Sequence, residues 1–208
     1  MHPFYLIDID LEDSETEIEF NSIVDYPAHM RAFEAYGKNE TEYFVDEEQR
    51  IITGVVIAEG TPIYRNDKQL GEHYVIFNKE AIKKMWILYN KKGYRDRVNK
   101  QHDSEDVINP SNGIFMVEQW IVDSERGMGV PKNLEKQGIR DGSWMMSYKV
   151  EDRKLWKEIK AGKYNGFSIE GVFIKYPIKV KKAEQQTSME QRKIARKLFS
   201  IISNFNKK

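Results

Sequence analysis

Ser168 stands in GKYNGFSIEGV (162–172), where Gly166 precedes it by two positions and Gly171 follows it by three. Glycines beside a serine strip steric cover and let a substrate backbone come close. Ser168 reads either as a nucleophile or as a strand serine pairing with a neighbour. A serine hydroxyl needs a general base, and histidine is the usual one because it titrates near neutrality. His102, in VNKQHDSED (98–106) beside Asp103, is the candidate. The other reading of His102 is a surface histidine in an acidic loop. A serine and histidine so paired would do acyl transfer.

A third group would orient the histidine. Glu118 lies in NGIFMVEQWIVD (112–123), and strand alternation puts it on a face with Ile114, Met116, Trp120 and Val122. A carboxylate on an apolar face must be paired or hydrogen-bonded. Orienting a histidine would satisfy Glu118; so would an arginine, and so would simple exposure of that face. Asp123 ends the same run on the opposite face, and Glu170 shares the face of Ser168.

Other chemistries find no support. The four histidines are His2, His29, His73 and His102, and no two are three or four apart, so no helix offers a zinc pair. There is no Walker loop, no GxGxxG and no calcium-loop spacing. No cofactor is expected. With no cysteine among 208 residues, thiol proteases, disulfide scaffolds, zinc ribbons and iron–sulfur proteins are excluded.

The elements that must position these residues are mostly strands. FYLIDIDL (4–11) alternates, and IEFNSIVDY (18–26) follows as a strand stopped by Pro27. Residues 28–50 read as loop with room for a short helix. ITGVVIAEG (52–60) reads as a buried strand, TPIYRNDKQLG (61–71) as a turn-containing connection, and EHYVIF (72–77) as the next strand. Asn78 reads as the N-cap of a helix carrying Ile82, Met85, Trp86 and Tyr89 on one side and ending at Lys91-Lys92-Gly93. Residues 94–102 read as a connection, 112–123 as the longest strand and 127–142 as a Gly- and Pro-containing loop. SWMMSYKV (143–150) is a strand, EDRKLWKEIKAG a short helix, and 166–180 one final strand. About seven strands and two helices in this order suggest a mainly antiparallel barrel or sandwich with helices outside.

Charge sums to zero but is uneven. Residues 1–50 carry 14 acidic and 3 basic residues, and 181–208 carry 8 basic and 2 acidic. The tail also forms an amphipathic pattern with Ile194, Leu198, Ile201, Ile202 and Phe205 on one side. These ends are either solvated surfaces or, for the tail, a docking element for an acidic partner. Only Phe199 and Phe205 interrupt the tail as aromatics, which argues against a single-strand nucleic-acid platform. No run approaches the roughly 20 apolar residues of a membrane span. The acidic start lacks the basic region of a signal peptide. The expectation is a soluble, intracellular protein of one domain (1–180) with a basic amphipathic helical tail (181–208).

In order along the chain, SIVDYPAH (22–29), TPIYRND (61–67), GEHYVIF (71–77), NKQHD (99–103), VEQWIVD (117–123), GSWMMSYKV (142–150) and GFSIEGVF (166–173) resemble the XkdF-like serine proteases of tailed phages. These group with prohead, or capsid maturation, proteases related in fold to herpesvirus assemblin. The resemblance implies a mainly β (α+β) fold: an assemblin-like antiparallel β-barrel surrounded by helices. It implies an endopeptidase with Ser168 as nucleophile and His102 as base. The herpesvirus enzymes use a second histidine after the serine. None follows His102 here, which leaves an acid, Glu118 before Asp123, as third member. Implied partners are phage scaffold and major capsid proteins, with a homodimer by analogy to the herpesvirus enzymes. The implied location is the assembling prohead in the host cytoplasm. The tail would then dock on scaffold or be removed by self-cleavage. The loop 127–142 would contribute to the oxyanion site. The rival expectation is an inactive structural assembly protein of the phage head.

Overall fold

The computed structural model describes residues 2–9, 17–25, 43–46 and 49–178. Of the expected loop 28–50, residues 28–42, 47 and 48 fall outside the described residues, as does the tail 181–208, while Tyr43–Asp46 is not loop but a strand that pairs with Ile51–Gly54. The side chain of Glu170 falls outside the described residues as well.

Strands β1 (Phe4–Asp8), β2 (Glu17–Val24), β3 (Tyr43–Asp46), β4 (Ile51–Ile57), β5 (Ile63–Asp67) and β6 (Gly71–Phe77) precede helix α1 (Lys79–Lys92). Then come β7 (Val98–Lys100), β8 (Asp103–Ile108), β9 (Ile114–Ile121) and β10 (Trp144–Val150). Helix α2 (Arg153–Lys160) leads to β11 (Gly166–Val172) and β12 (Ile174–Pro177).

Among the described residues these strands form three four-stranded sheets, ordered β12-β1-β6-β5, β3-β4-β10-β9 and β11-β2-β7-β8. The class is mainly β with few helices. One closed antiparallel barrel ringed by helices is not what these residues build. Each sheet is open, β1 pairs β6 in parallel, and β2 pairs β7 in parallel. Two features hid this from sequence pattern. The connection 61–71 contains β5, whose burial is mixed, and 94–102 contains the three-residue β7. The expected single strand 166–180 divides at Phe173, sending β11 to β2 and β12 to β1.

The helices follow local signals. The Asn78 side chain accepts a hydrogen bond from Ala81 N, and Gly93 closes α1 at φ 71, a left-handed conformation that suits glycine. Ala81, Ile82, Met85, Leu88 and Tyr89 are buried, a stripe of helical period, and Tyr89 meets Trp144 edge-on at 5.1 Å. In α2 the Asp152 side chain accepts from Lys154 N and Leu155 N, and Leu155, Trp156 and Ile159 turn inward. No helix among the described residues is long and apolar enough to cross a membrane.

One large cluster joins the sheets, with Ile23, Ile52, Val56, Met146, Tyr148 and Phe167 among its members. Each fully buried side chain of this size contributes about 1.5–3 kcal/mol. Inside it Asn21 donates to the Tyr148 hydroxyl at 2.9 Å, tying β2 to β10. That contact sets the depth of β2, and therefore of its next residue, Ser22.

Candidate active site

Strand β2 is the axis of the site. On one side it pairs antiparallel with β11, setting Ser22 opposite Ser168. On the other it pairs in parallel with β7, setting Ser22 opposite Asn99. Residues 77 positions apart, Ser22 and Asn99, thus become neighbours, and the Ser22 hydroxyl donates to Asn99 Oδ1 at 2.5 Å. Both side chains are fully buried.

His102 reaches the same point from a hairpin tip. Lys100 pairs with Asp103, so Gln101 and His102 alone form the turn between β7 and β8. Their φ values are 54 and 61, the left-handed region that a two-residue hairpin turn of this hand requires. Asparagine and glycine are the usual occupants, so holding two other side chains there costs about 1–3 kcal/mol each. Contacts to β2 offset that strain. Gln101 N donates to Ile23 O at 3.0 Å, Asp25 N donates to Gln101 Oε1 at 3.1 Å, and His102 Nδ1 lies 3.1 Å from Ser22 Oγ.

His102 and Ser168 line one cleft of about 910 Å³. The expected pair is therefore brought to a common surface, Ser168 from β11 and His102 from the β7–β8 turn of the same sheet. Ser168 itself is 4% exposed, so only the cleft offers a way to it. Apolar walls come from Ile7, Val56, Ile63, Val75 and Phe77. Two cations, Arg65 and Lys175, line the cleft as well. Lys175 is held by Asp67 at 2.6 Å, and that contact is the main reason the Asp67 carboxyl is held down at about 2. Desolvation lowers the pKa of the Arg65 guanidinium.

The expected acids lie elsewhere. Glu118 is exposed on β9 and accepts from Ser147 Oγ at 3.2 Å. It does not share a buried apolar face. Ser147 pairs with Glu118 while Tyr148 pairs with Met116, and this irregularity at Val117 breaks the alternation from which the face was inferred. Asp123 bridges to Met128, and its carboxylate accepts from Arg126 N at 3.2 Å, so it shapes a tight turn. Neither acid is among the residues lining the cleft, and no residue of the loop 127–142 is either. That loop instead packs Leu134, Val130 and Ile139 against Met145 and Trp120. No group of three or more His, Asp or Glu residues among those described could hold a metal ion.

Sequence reasoning missed Ser22 and Asn99. Both stand inside stretches that carried the family resemblance, SIVDYPAH and NKQHD, and both are small polar residues beside apolar strand positions. Small polar residues on strands otherwise bound for the core were the signal that could have found them.

Comparison with known proteins adds one finding. A family model described as "Putative phage serine protease XkdF" matches residues 40–175. No curated protein and no solved structure matches the chain.

Proposed function

The chain belongs to the XkdF family of phage serine proteases, and from that premise we propose that it is a prohead protease cleaving scaffold and capsid proteins during head assembly. The observation that supports this most is that Ser168 and His102 both line one cleft. Only the pairing of β2 with β11 on one side and β7 on the other achieves it.

In this reading His102 removes the Ser168 proton as Oγ attacks a scissile carbonyl carbon. The tetrahedral intermediate collapses with loss of the amine, which takes its proton from His102. Water, activated by the same imidazole, then releases the acyl group from Ser168. The apolar walls of the cleft seat substrate side chains, and its open side admits the hydrolytic water. Cleavage takes place inside the assembling prohead, in the host cytoplasm. The basic tail 181–208 serves as a docking segment for scaffold or as a self-cleaved end. A homodimer, by analogy to the herpesvirus enzymes, is the oligomeric state this reading expects.

The experiment is co-expression with the scaffold and major capsid proteins, followed by intact mass measurement. Wild type, Ser168→Ala and His102→Ala are compared. Defined truncations in wild type, absent from both variants, are expected. Identical masses in all three would overturn the protease reading and leave a structural head-assembly protein.

A further inference from the structure

We propose that Ser22 and Asn99 are the positioning residues of His102, taking the place that an acid holds in a Ser-His-acid triad. This rests on His102 acting as the base for Ser168.

The argument begins with hydrogen counting. A serine hydroxyl has one hydrogen to donate. Ser22 directs it to Asn99 Oδ1, at 2.5 Å. Toward His102 Nδ1, 3.1 Å away, the same oxygen can then act only as acceptor. Nδ1 of the neutral ring must therefore carry the hydrogen. The basic lone pair belongs to Nε2, as a general base requires. The Asn99 side chain, buried beside Ser22, keeps the hydroxyl from rotating toward the ring and reversing this assignment.

The backbone supports the same placement. His102 sits at a left-handed φ of 61, and β2 holds its turn through Ile23 and Asp25, the residues just beyond Ser22. One strand thus sets the ring's position, its orientation and its tautomer. Ser22 and Asn99 are themselves neutral side chains, so their contact orients the ring as an acid would without itself supplying charge to the imidazolium that forms during attack. An exposed Glu118 and a turn-shaping Asp123 are then no puzzle, because the task they were expected to do is done from β2.

The first test needs no substrate. The full chain labelled with nitrogen-15 at histidine is observed by NMR at alkaline pH, with the His102 ring signals identified by their loss in His102→Gln. Wild type is expected to show hydrogen on Nδ1. Ser22→Ala is expected to return the neutral ring toward the Nε2-hydrogen form. A wild-type ring with its hydrogen on Nε2 overturns the proposal whether or not the protein cleaves anything. The second test is kinetic, on a cleaved scaffold peptide. Ser22→Ala is expected to lower kcat by roughly 10- to 100-fold with little change in KM, and Ser22→Thr, which keeps the hydroxyl, to recover most of the loss. A folded Ser22→Ala chain with unchanged kcat and tautomer would overturn it. An inactive wild type with hydrogen on Nδ1 would instead count against the protease reading alone.

Discussion

Ser168 faces Ser22 across the antiparallel pair of β11 and β2, yet the two hydroxyls live in different surroundings. Ser168 opens on the cleft, while Ser22 is fully buried and donates to Asn99. A nucleophile must be reached by substrate, so only one of these neighbours qualifies. A fluorophosphonate probe, followed by peptide mapping, is expected to label Ser168 and leave Ser22 unmodified. Label on Ser22 would reverse the assignment.

Glu118 and Asp123 are expected to be dispensable for chemistry. Glu118→Gln changes one acceptor in a half-buried contact to Ser147, outside the residues that line the cleft. Peptide cleavage by Glu118→Gln and Asp123→Asn should stay within about 3-fold of wild type, whereas loss of a true orienting acid lowers kcat by about 10⁴. A fall of that size in either variant would restore the acid to the site.

Arg65 sets the charge of the cleft. Lys175 beside it is neutralised by Asp67, so the guanidinium is the cation best able to attract a substrate carboxylate. Arg65→Gln is expected to raise KM for peptides with an acidic side chain near the scissile bond and to leave neutral peptides unchanged. Equal effects on both would show that Arg65 supports the wall and does not select the substrate.

Tyr89 and Tyr148 link stability to alkaline pH. Burial raises both phenols, Tyr148 to about 12, and Tyr89 adds to this through its neighbour Tyr148. A raised folded-state pKa favours the neutral form in the folded chain. The stability it contributes is complete below the unfolded value of about 10 and is lost as pH rises toward 12 and beyond. Tyrosinate absorbance should therefore rise in two steps, with the last step coinciding with unfolding. Tyr148→Phe removes one of these groups and forfeits the hydrogen bond from Asn21, at about 1 kcal/mol.

Gly142 is irreplaceable for a packing reason. Its φ is 89, and a Cβ there would meet the Lys79 Cβ at 2.5 Å, where α1 begins. Gly142→Ala is expected to cost about 2 kcal/mol and lower the melting temperature by about 4–8 °C. An unchanged melting temperature would mean that α1 can shift aside.

Sequence by itself determined what local chemistry can write. The Asn78 cap, the stripe from Ala81 to Tyr89 and Gly93 specify α1, and Asp152 starts α2, because capping and helical burial involve residues only a few positions apart. Ser168 and His102 stood out by their flanking residues, and the ordered motifs placed the chain in its family. The tertiary structure alone decided which residues meet them. Ser22 touches His102 across 80 positions through strand register, and register is a long-range choice in which one residue of slip turns every side chain to the other face. The same dependence misplaced Glu118: a single irregularity at Val117 altered the alternation, and Glu118 became an exposed residue whose carboxylate meets Ser147. Alternation states that a strand has two faces; only pairing with other strands states which face is inside.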